Sequence, residues 1–340
     1  MPSDMRVLVF DGPHRFHIET RPRPVPGPGE VRLRMAHVGI CGSDLHGYTG
    51  ESGRRLPGMI MGHEASGWVE ARGPGVDGPE VGTPVTFNPS LPCDGACGHV
   101  LENHCAALRV IGVTPDIQGA FADAIVVPAA RVVPLGELSM LWGAGVEPMA
   151  VALQATRRAG VRPGQDVLVV GGGMIGQSIA QTCRLEGAAS VSVSDPMPSR
   201  RTLARAGGFR DLEPGQVDEA GPFDVSFDAV GITATAYAAI QNIPKAAVAC
   251  FVGLGLPEVS IPLFDVVVSE RMVVGSFCYP DAVFEEAAGH LAAGRLDLDR
   301  LIGSEESFED TARAFEDLAT GARTDAKIMM STGLGPPTDV

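Results

Sequence analysis

The chain has 340 residues, 45% of them hydrophobic, with a formal net charge of -15, a sequence pI of about 4.9 and a mean hydropathy of +0.14. That length exceeds one simple core and suits two domains, while the acidic balance, with no basic patch, argues against nucleic acid and anionic membranes as partners. No apolar run is as long as a membrane helix, the opening Met1-Pro2-Ser3-Asp4-Met5 has no signal-peptide pattern, and the seven cysteines form no secreted-type framework, so a reducing cytoplasm is expected.

In chain order, Arg6 to Phe10 reads as a first strand, and the proline-rich stretch Arg21 to Glu30 cannot be helical. Glu30 to His37 alternates Val31, Leu33 and Met35 with Arg32 and Arg34, the pattern of a half-buried strand, and delivers the chain to Cys41. Strands with Gly/Pro turns follow over 66–90, then a small cysteine lobe at 93–105, then two segments, 118–123 and 125–127, that return to the first sheet. Leu141 to Ala159 is predicted helical, with Val146, Met149, Ala150 and Leu153 at helical spacing. From Gly164 the pattern becomes strand, glycine turn, helix, strand. It continues through 189–195, 223–228 and 247–253, predicting a doubly wound, mostly parallel sheet. Helices resume after residue 283, Lys327 to Met330 is a last strand, and Gly333 to Val340 is a polar tail expected to fray. Only two of the 26 basic residues are lysines, Lys245 and Lys327.

Two constellations carry chemistry. The first is Gly39-Ile40-Cys41-Gly42-Ser43-Asp44-Leu45-His46 followed by Gly62-His63-Glu64. Sulfur, nitrogen and oxygen donors together form the mixed set of a catalytic zinc rather than an all-thiolate structural one. Ser43 and His46 add groups that can pass protons; the plain alternatives are a turn hydroxyl and an exposed loop histidine. The second is Gly171-x-Gly173-Met174-Ile175-Gly176, between a predicted strand and a predicted helix. There the glycines allow a tight turn, close approach of a pyrophosphate and helix–strand packing. Asp195 ends the next strand and would accept hydrogen bonds from an adenosine ribose, favouring NAD over NADP; Arg200 and Arg201 weigh the other way. Arg200 joins Gly171, Gly173, Met174, Ile175, Gly176 and Asp195 as a candidate cofactor residue.

Taken with Glu147-Pro148, these motifs resemble the zinc-dependent medium-chain dehydrogenases, nearest the sorbitol, threonine and sugar-alcohol branch, over about residues 5–330. The resemblance implies an α/β chain with a GroES-like β-barrel catalytic domain (1–150 and 284–340) and an inserted Rossmann NAD-binding domain (151–283), the active site lying in the cleft. It implies that Cys41, His63 and Glu64 hold Zn2+, with Glu147 as a direct or water-mediated ligand. It implies too that Asp44 orients His63, and that Ser43 passes the substrate proton through the cofactor ribose to His46. A small-molecule alcohol substrate and a homodimer or homotetramer are expected.

The chain departs from the family pattern twice. Of the usual four lobe cysteines only Cys93, Cys97 and Cys105 stand here, so a second, structural zinc needs Asp94, His99 or His104, or the lobe holds no metal. Phe277-Cys278-Tyr279 replaces a Phe-Arg-Tyr that helps grip polyols, which directs attention to a substrate carrying its own positive charge, an amino sugar or aminocyclitol, as in aminoglycoside-type biosynthesis. Polyols, simple alcohols and threonine-like hydroxy acids remain alternatives, as does a non-catalytic cofactor-binding relative; zinc-free quinone or enoyl reductases lack the Cys/His/Glu set. Cys183, Cys250 and Cys278 fall in helix or strand patterns, while Tyr48, Glu51 and Leu56 are weaker pocket candidates.

Overall fold

The computed structural model describes residues 4–337, which divide into two compact units. The first runs through Glu147 and takes in Pro280–Gly294 and everything from Ile302 onward; the second is Pro148–Tyr279 with Arg295–Leu301.

The first unit opens with the hairpin β1 (Asp4–Gly12) and β2 (Arg15–Pro22), then β3 (Glu30–Gly39), the short helix α1 (Gly42–Tyr48), β4 (Glu64–Arg72) and β5 (Pro84–Phe87). A two-residue pair, β6 (Ser90–Leu91) and β7 (Arg109–Val110), brackets the cysteine lobe; β8 (Ala124–Pro128), β9 (Val132–Pro134) and α2 (Met140–Gly143) complete this part. Helix α3 (Val146–Ala159), which passes into the second unit at Pro148, leads to six strands, β10 (Asp166–Val170), β11 (Ser190–Ser194), β12 (Arg210–Leu212), β13 (Val225–Asp228), β14 (Val248–Phe251) and β15 (Met272–Gly275). Their helices are α4 (Met174–Leu185), α5 (Pro198–Ala206), α6 (Val217–Ala220), α7 (Thr233–Gln241) and α8 (Leu263–Val268). The chain returns to the first unit with α9 (Asp281–Ala292), β16 (Ile302–Ser307), α10 (Thr311–Ala319) and β17 (Lys327–Ser331).

Alternation decides the first unit. Val31, Leu33 and Met35 are fully buried while Arg32 and Arg34 point away, so β3 can sit at the centre of a sheet ordered β16-β17-β3-β4-β5-β9, with β8 also pairing β3. This is the GroES-like domain. The second sheet, ordered β12-β11-β10-β13-β14-β15, is parallel throughout, and its central strand Asp-Val-Leu-Val-Val is buried on both faces. That order is the Rossmann order.

Three expectations change. The helix predicted over 141–159 is two helices, because the chain breaks at Ala144-Gly145. Cys278 lies outside both helix and strand, with φ at 50°, a left-handed conformation rare for a side chain with a β-carbon. The described part of the expected frayed tail is tied down: Leu334 N–H donates to Thr332 Oγ1 and Pro337 is buried. The rest of that tail, and the first three residues of the chain, lie outside the described residues. Cys183 and Cys250 are core residues as expected. Among the described residues no helix is long and apolar enough to cross a membrane.

Candidate active site and metal centre

The register Gly39↔Glu64 brings the exit of β3 and the entry of β4 together, and with them Cys41 and His63. One ligand atom each from Cys41, His63 and Glu64 lies within 4.8 Å of the others. Gly39 is needed for this: a β-carbon there would stand 2.2 Å from Glu64 Oε2. Asp44, on α1, is fully buried. Its Oδ1 accepts from Arg55 Nη2 at 3.1 Å, and its Oδ2 lies 3.5 Å from His63 Nδ1. Arg55 also donates to the Val113 carbonyl at 3.2 Å, pinning the far side of that carboxylate.

The surroundings of His63 are anionic. Burial alone would lower the pKa of the imidazole, but Asp44, then Cys41 and Glu147, more than offset it and hold it up at about 10. An environment that attracts a proton this strongly suits a divalent cation just as well, and the thiolate, imidazole and carboxylate donors fit zinc. Asp44 Oδ2 and His63 Nδ1, buried and facing each other, have no hydrogen-bond partner among the described residues, so the carboxylate is poised to orient the ring.

Glu64 has a second allegiance. Its Oε2 accepts from Lys327 Nζ at 2.5 Å, and Lys327, only 3% exposed, also donates to the Ile40 carbonyl at 2.9 Å. Burial opposes the lysine's charge, yet Glu64 and Cys41 raise its pKa overall, so it stays an ammonium. Sequence reasoning assigned neither Lys327 nor Arg55 to the site. Lys327 had one signal, being a lysine where nearly every other basic residue is arginine; Arg55 had none. Glu147, the second residue of α3, is felt electrostatically by both His63 and Lys327.

Ser43 Oγ donates to Cys41 Sγ at 3.4 Å. His46 is half exposed and its Nδ1 lies 2.7 Å from Glu51 Oε2. Tyr48 is committed to the core: its ring stacks on Phe16 and its hydroxyl donates to Glu316 at 3.0 Å. Leu56 is exposed.

In the cysteine lobe, Cys93, Cys97, His99 and Cys105 bring their ligand atoms within 4.8 Å of one another. His99 Nδ1 is 3.1 Å from Cys97 Sγ and 3.8 Å from Cys93 Sγ, and Cys105 Sγ is 3.5 Å from Cys93 Sγ. Of Asp94, His99 and His104, His99 therefore joins the group. Hydrogen bonding, first from His99, lowers the Cys97 thiol pKa to about 6, toward the thiolate a metal binds. Three sulfurs and an imidazole make a complete tetrahedral set.

The glycine turn lies in the second unit, at the junction of β10 and α4. Gly171 takes φ +104° with Val230 Cγ2 2.6 Å from where a β-carbon would be, and Gly176 packs against the Gly171 carbonyl. Gly173 differs: a β-carbon there would meet only the end of Arg200, 3.8 Å away. Nothing in the chain requires that glycine, so the bare backbone fits a ligand approaching from outside. A pocket of about 300 Å3 opens there, lined by Gly171, Asp195, Met197, Arg200, Val230 and Thr235 among others. Met174 and Ile175 begin α4 behind it. Asp195 directly follows β11, the strand beside the turn, and is buried; its Oδ2 accepts from Gly172 N–H and its Oδ1 from Met197 N–H, both at 2.8 Å, with Arg200 Nη1 at 3.5 Å. Gln177 ties the Gly172 and Arg200 carbonyls together.

Residues 27–137 match the model of the alcohol dehydrogenase GroES-like domain and residues 175–293 that of the zinc-binding dehydrogenases. The chain is 30% identical, over 92% of its length and 93% of the relative's, to a probable D-xylulose reductase A of Aspergillus niger. It is 32% identical, over 92% and 95%, to a 2-dehydro-3-deoxy-L-galactonate 5-dehydrogenase of Pseudoalteromonas atlantica. Among solved structures, a zinc-binding dehydrogenase of Sinorhizobium meliloti bound to NADP superposes with a TM-score of 0.89 at 28% identity, covering 97% of this chain and all of that one. The mixed sulfur, nitrogen and oxygen donors, the Rossmann sheet and these relatives lead to one conclusion: the chain belongs to the zinc-dependent medium-chain alcohol dehydrogenases and is an oxidoreductase of that family.

Proposed function

We propose that this enzyme oxidises a secondary alcohol of a sugar, amino sugar or cyclitol with NAD as acceptor, at a zinc held by Cys41, His63 and the carboxylates Glu64 and Glu147. The observation that carries the reading is the buried, anion-lined grouping of Cys41, His63 and Glu64. Cys41, His63, Glu64 and Glu147 would hold a zinc ion that supplies Lewis acidity, lowering the cost of removing an alcohol proton near neutral pH. Asp44, backed by Arg55, fixes the His63 ring, and Lys327 holds Glu64 in reserve by neutralising one of its oxygens. Ser43, beside Cys41, would accept the substrate proton while releasing its own hydroxyl proton by way of the cofactor ribose to His46, whose Nδ1 faces Glu51, and so to solvent. Gly171, Gly173 and Gly176 with the start of α4 (Met174, Ile175) cradle the pyrophosphate, and the Asp195 carboxylate selects NAD by repelling a 2′-phosphate. Cys93, Cys97, His99 and Cys105 hold a second, structural zinc. Seven cysteines with no secreted-type framework suit a reducing cytoplasm.

For the substrate, Cys278 in place of arginine points to an amine-bearing alcohol, as in aminoglycoside-type pathways. The Aspergillus niger relative's name favours a second reading, a polyol. The deciding experiment follows NADH appearance with simple alcohols, polyols, hexoses and amino sugars, with and without chelator. Amino sugars turning over fastest is the expected outcome; xylitol or sorbitol matching every amino sugar transfers the assignment to polyols, and chelator-insensitive turnover rejects the metal centre.

A second copy of the chain is the proposed partner. The edge strand β15 is largely exposed, and Leu263, Phe264 and Val267 of the neighbouring α8 present an uncovered apolar surface; together they form the edge through which two nucleotide-binding sheets would pair into a dimer.

A further inference from the structure

The strands that deliver Cys41 and Glu64 carry a different cluster toward their other ends. Glu70, on β4, is wholly buried, and three arginines converge on its carboxylate. Arg23 Nη1 donates to both oxygens at 2.9 Å, Arg32 Nε donates to Oε2 at 2.7 Å, and Arg34 Nε donates to Oε1 at 2.9 Å. The arginine side chains are 6%, 14% and 11% exposed. Among the described residues no second carboxylate pairs with any of them, so three guanidinium groups share a single carboxylate there. Neutral acceptors fix two of the groups: Arg32 Nη1 donates to the Pro24 carbonyl at 3.0 Å and Arg34 Nη1 to the Pro336 carbonyl at 3.5 Å. Among the described residues the buried Arg23 Nε has no acceptor.

Buried charge is costly unless paired, and a buried donor without an acceptor adds to that cost. Guanidinium groups held rigid, dry and close together, with unused N–H groups, are the arrangement that takes a tetrahedral oxyanion through charge-assisted hydrogen bonds. We propose that Arg23, Arg32 and Arg34 form an oxyanion site, of the size and charge of inorganic phosphate, which neutralises the excess charge around Glu70 and stabilises the catalytic unit. At about 3.3 Å per strand residue, the seven positions from Arg34 to Cys41 place it roughly 20 Å from the metal centre. The anion therefore acts on stability and not on the reaction.

The test uses the zinc-loaded enzyme saturated with NADH, so that the glycine turn is covered. Thermal midpoint is followed against inorganic phosphate and against chloride at matched ionic strength, for the wild type, Arg23→Gln and Arg32→Gln. The expected result is a saturable rise with phosphate alone, weakened about tenfold or lost in both variants while turnover is unchanged. Equal responses to phosphate and chloride overturn the proposal. So does a phosphate response that survives intact in both variants, since it then arises elsewhere. Should neither variant fold, 31P line broadening of phosphate by the NADH-saturated wild type, displaced by sulfate, supports the site, and its absence overturns it.

Discussion

Lys327 and Glu64 are separated by 263 residues in the chain and by 2.5 Å in space. Removing the ammonium by Lys327→Met leaves a buried carboxylate without its counter-charge, which costs about 3–5 kcal/mol. Urea unfolding of the zinc-free protein measures this directly, and a loss below about 1 kcal/mol contradicts the pairing. Asp44→Asn keeps the shape but weakens the orientation of His63. Zinc affinity, read by chelator competition, is expected to fall about 10–100-fold with secondary structure unchanged. At this scale the sequence was readable where residues lie close together along the chain: Cys41, His63 and Glu64, which the structure brings together, stand out by type and spacing. Lys327 and Arg55 did not, because their roles exist only after β17 and the 52–56 loop close around the site. Which of Asp94, His99 and His104 joins the three lobe cysteines was undecidable in the sequence; the loop's path brings His99 in.

The same contrast holds for whole elements. Regular alternation in β3 and the strand–glycine–helix run at β10 were legible because each pattern has one physical solution. The break at Ala144-Gly145 was not, since helical spacing of Val146, Met149 and Leu153 carries no mark of where the helix begins. The lobe yields a clean stoichiometric prediction. His99→Ala or Cys97→Ser lowers zinc from two to one per chain by elemental analysis, and a wild type that never exceeds one removes the second site. The cluster on β3 and β4 yields a pH prediction. Burial pushes the Glu70 carboxyl up, but Arg34, Arg23 and Arg32 outweigh it and hold its pKa below the usual carboxylate value. Its contribution to stability is then complete above the unfolded carboxylate pKa and is lost as pH falls through the depressed folded value. Glu70→Gln should lower stability at neutral pH and flatten the acid limb of the stability curve; an acid limb identical to the wild type's contradicts this.

For the molecule as a whole, the uncovered edge of the parallel sheet is where the proposed second copy would pair. Phe264, 77% exposed, and Val267, 65% exposed, stand beside β15. Phe264→Asp together with Val267→Asp should convert a dimer to a monomer in light scattering after size exclusion. A wild type already monomeric at micromolar concentration rejects the pairing. The composition has a practical corollary as well. Of the two lysines, Lys327 is sealed beneath Ile40 and Glu64, whereas Lys245 stands exposed in the turn before β14. A succinimidyl dye or an aldehyde-activated bead would meet a single reachable side-chain amine, so lysine-directed tagging falls on one position and spares the ammonium beside Glu64.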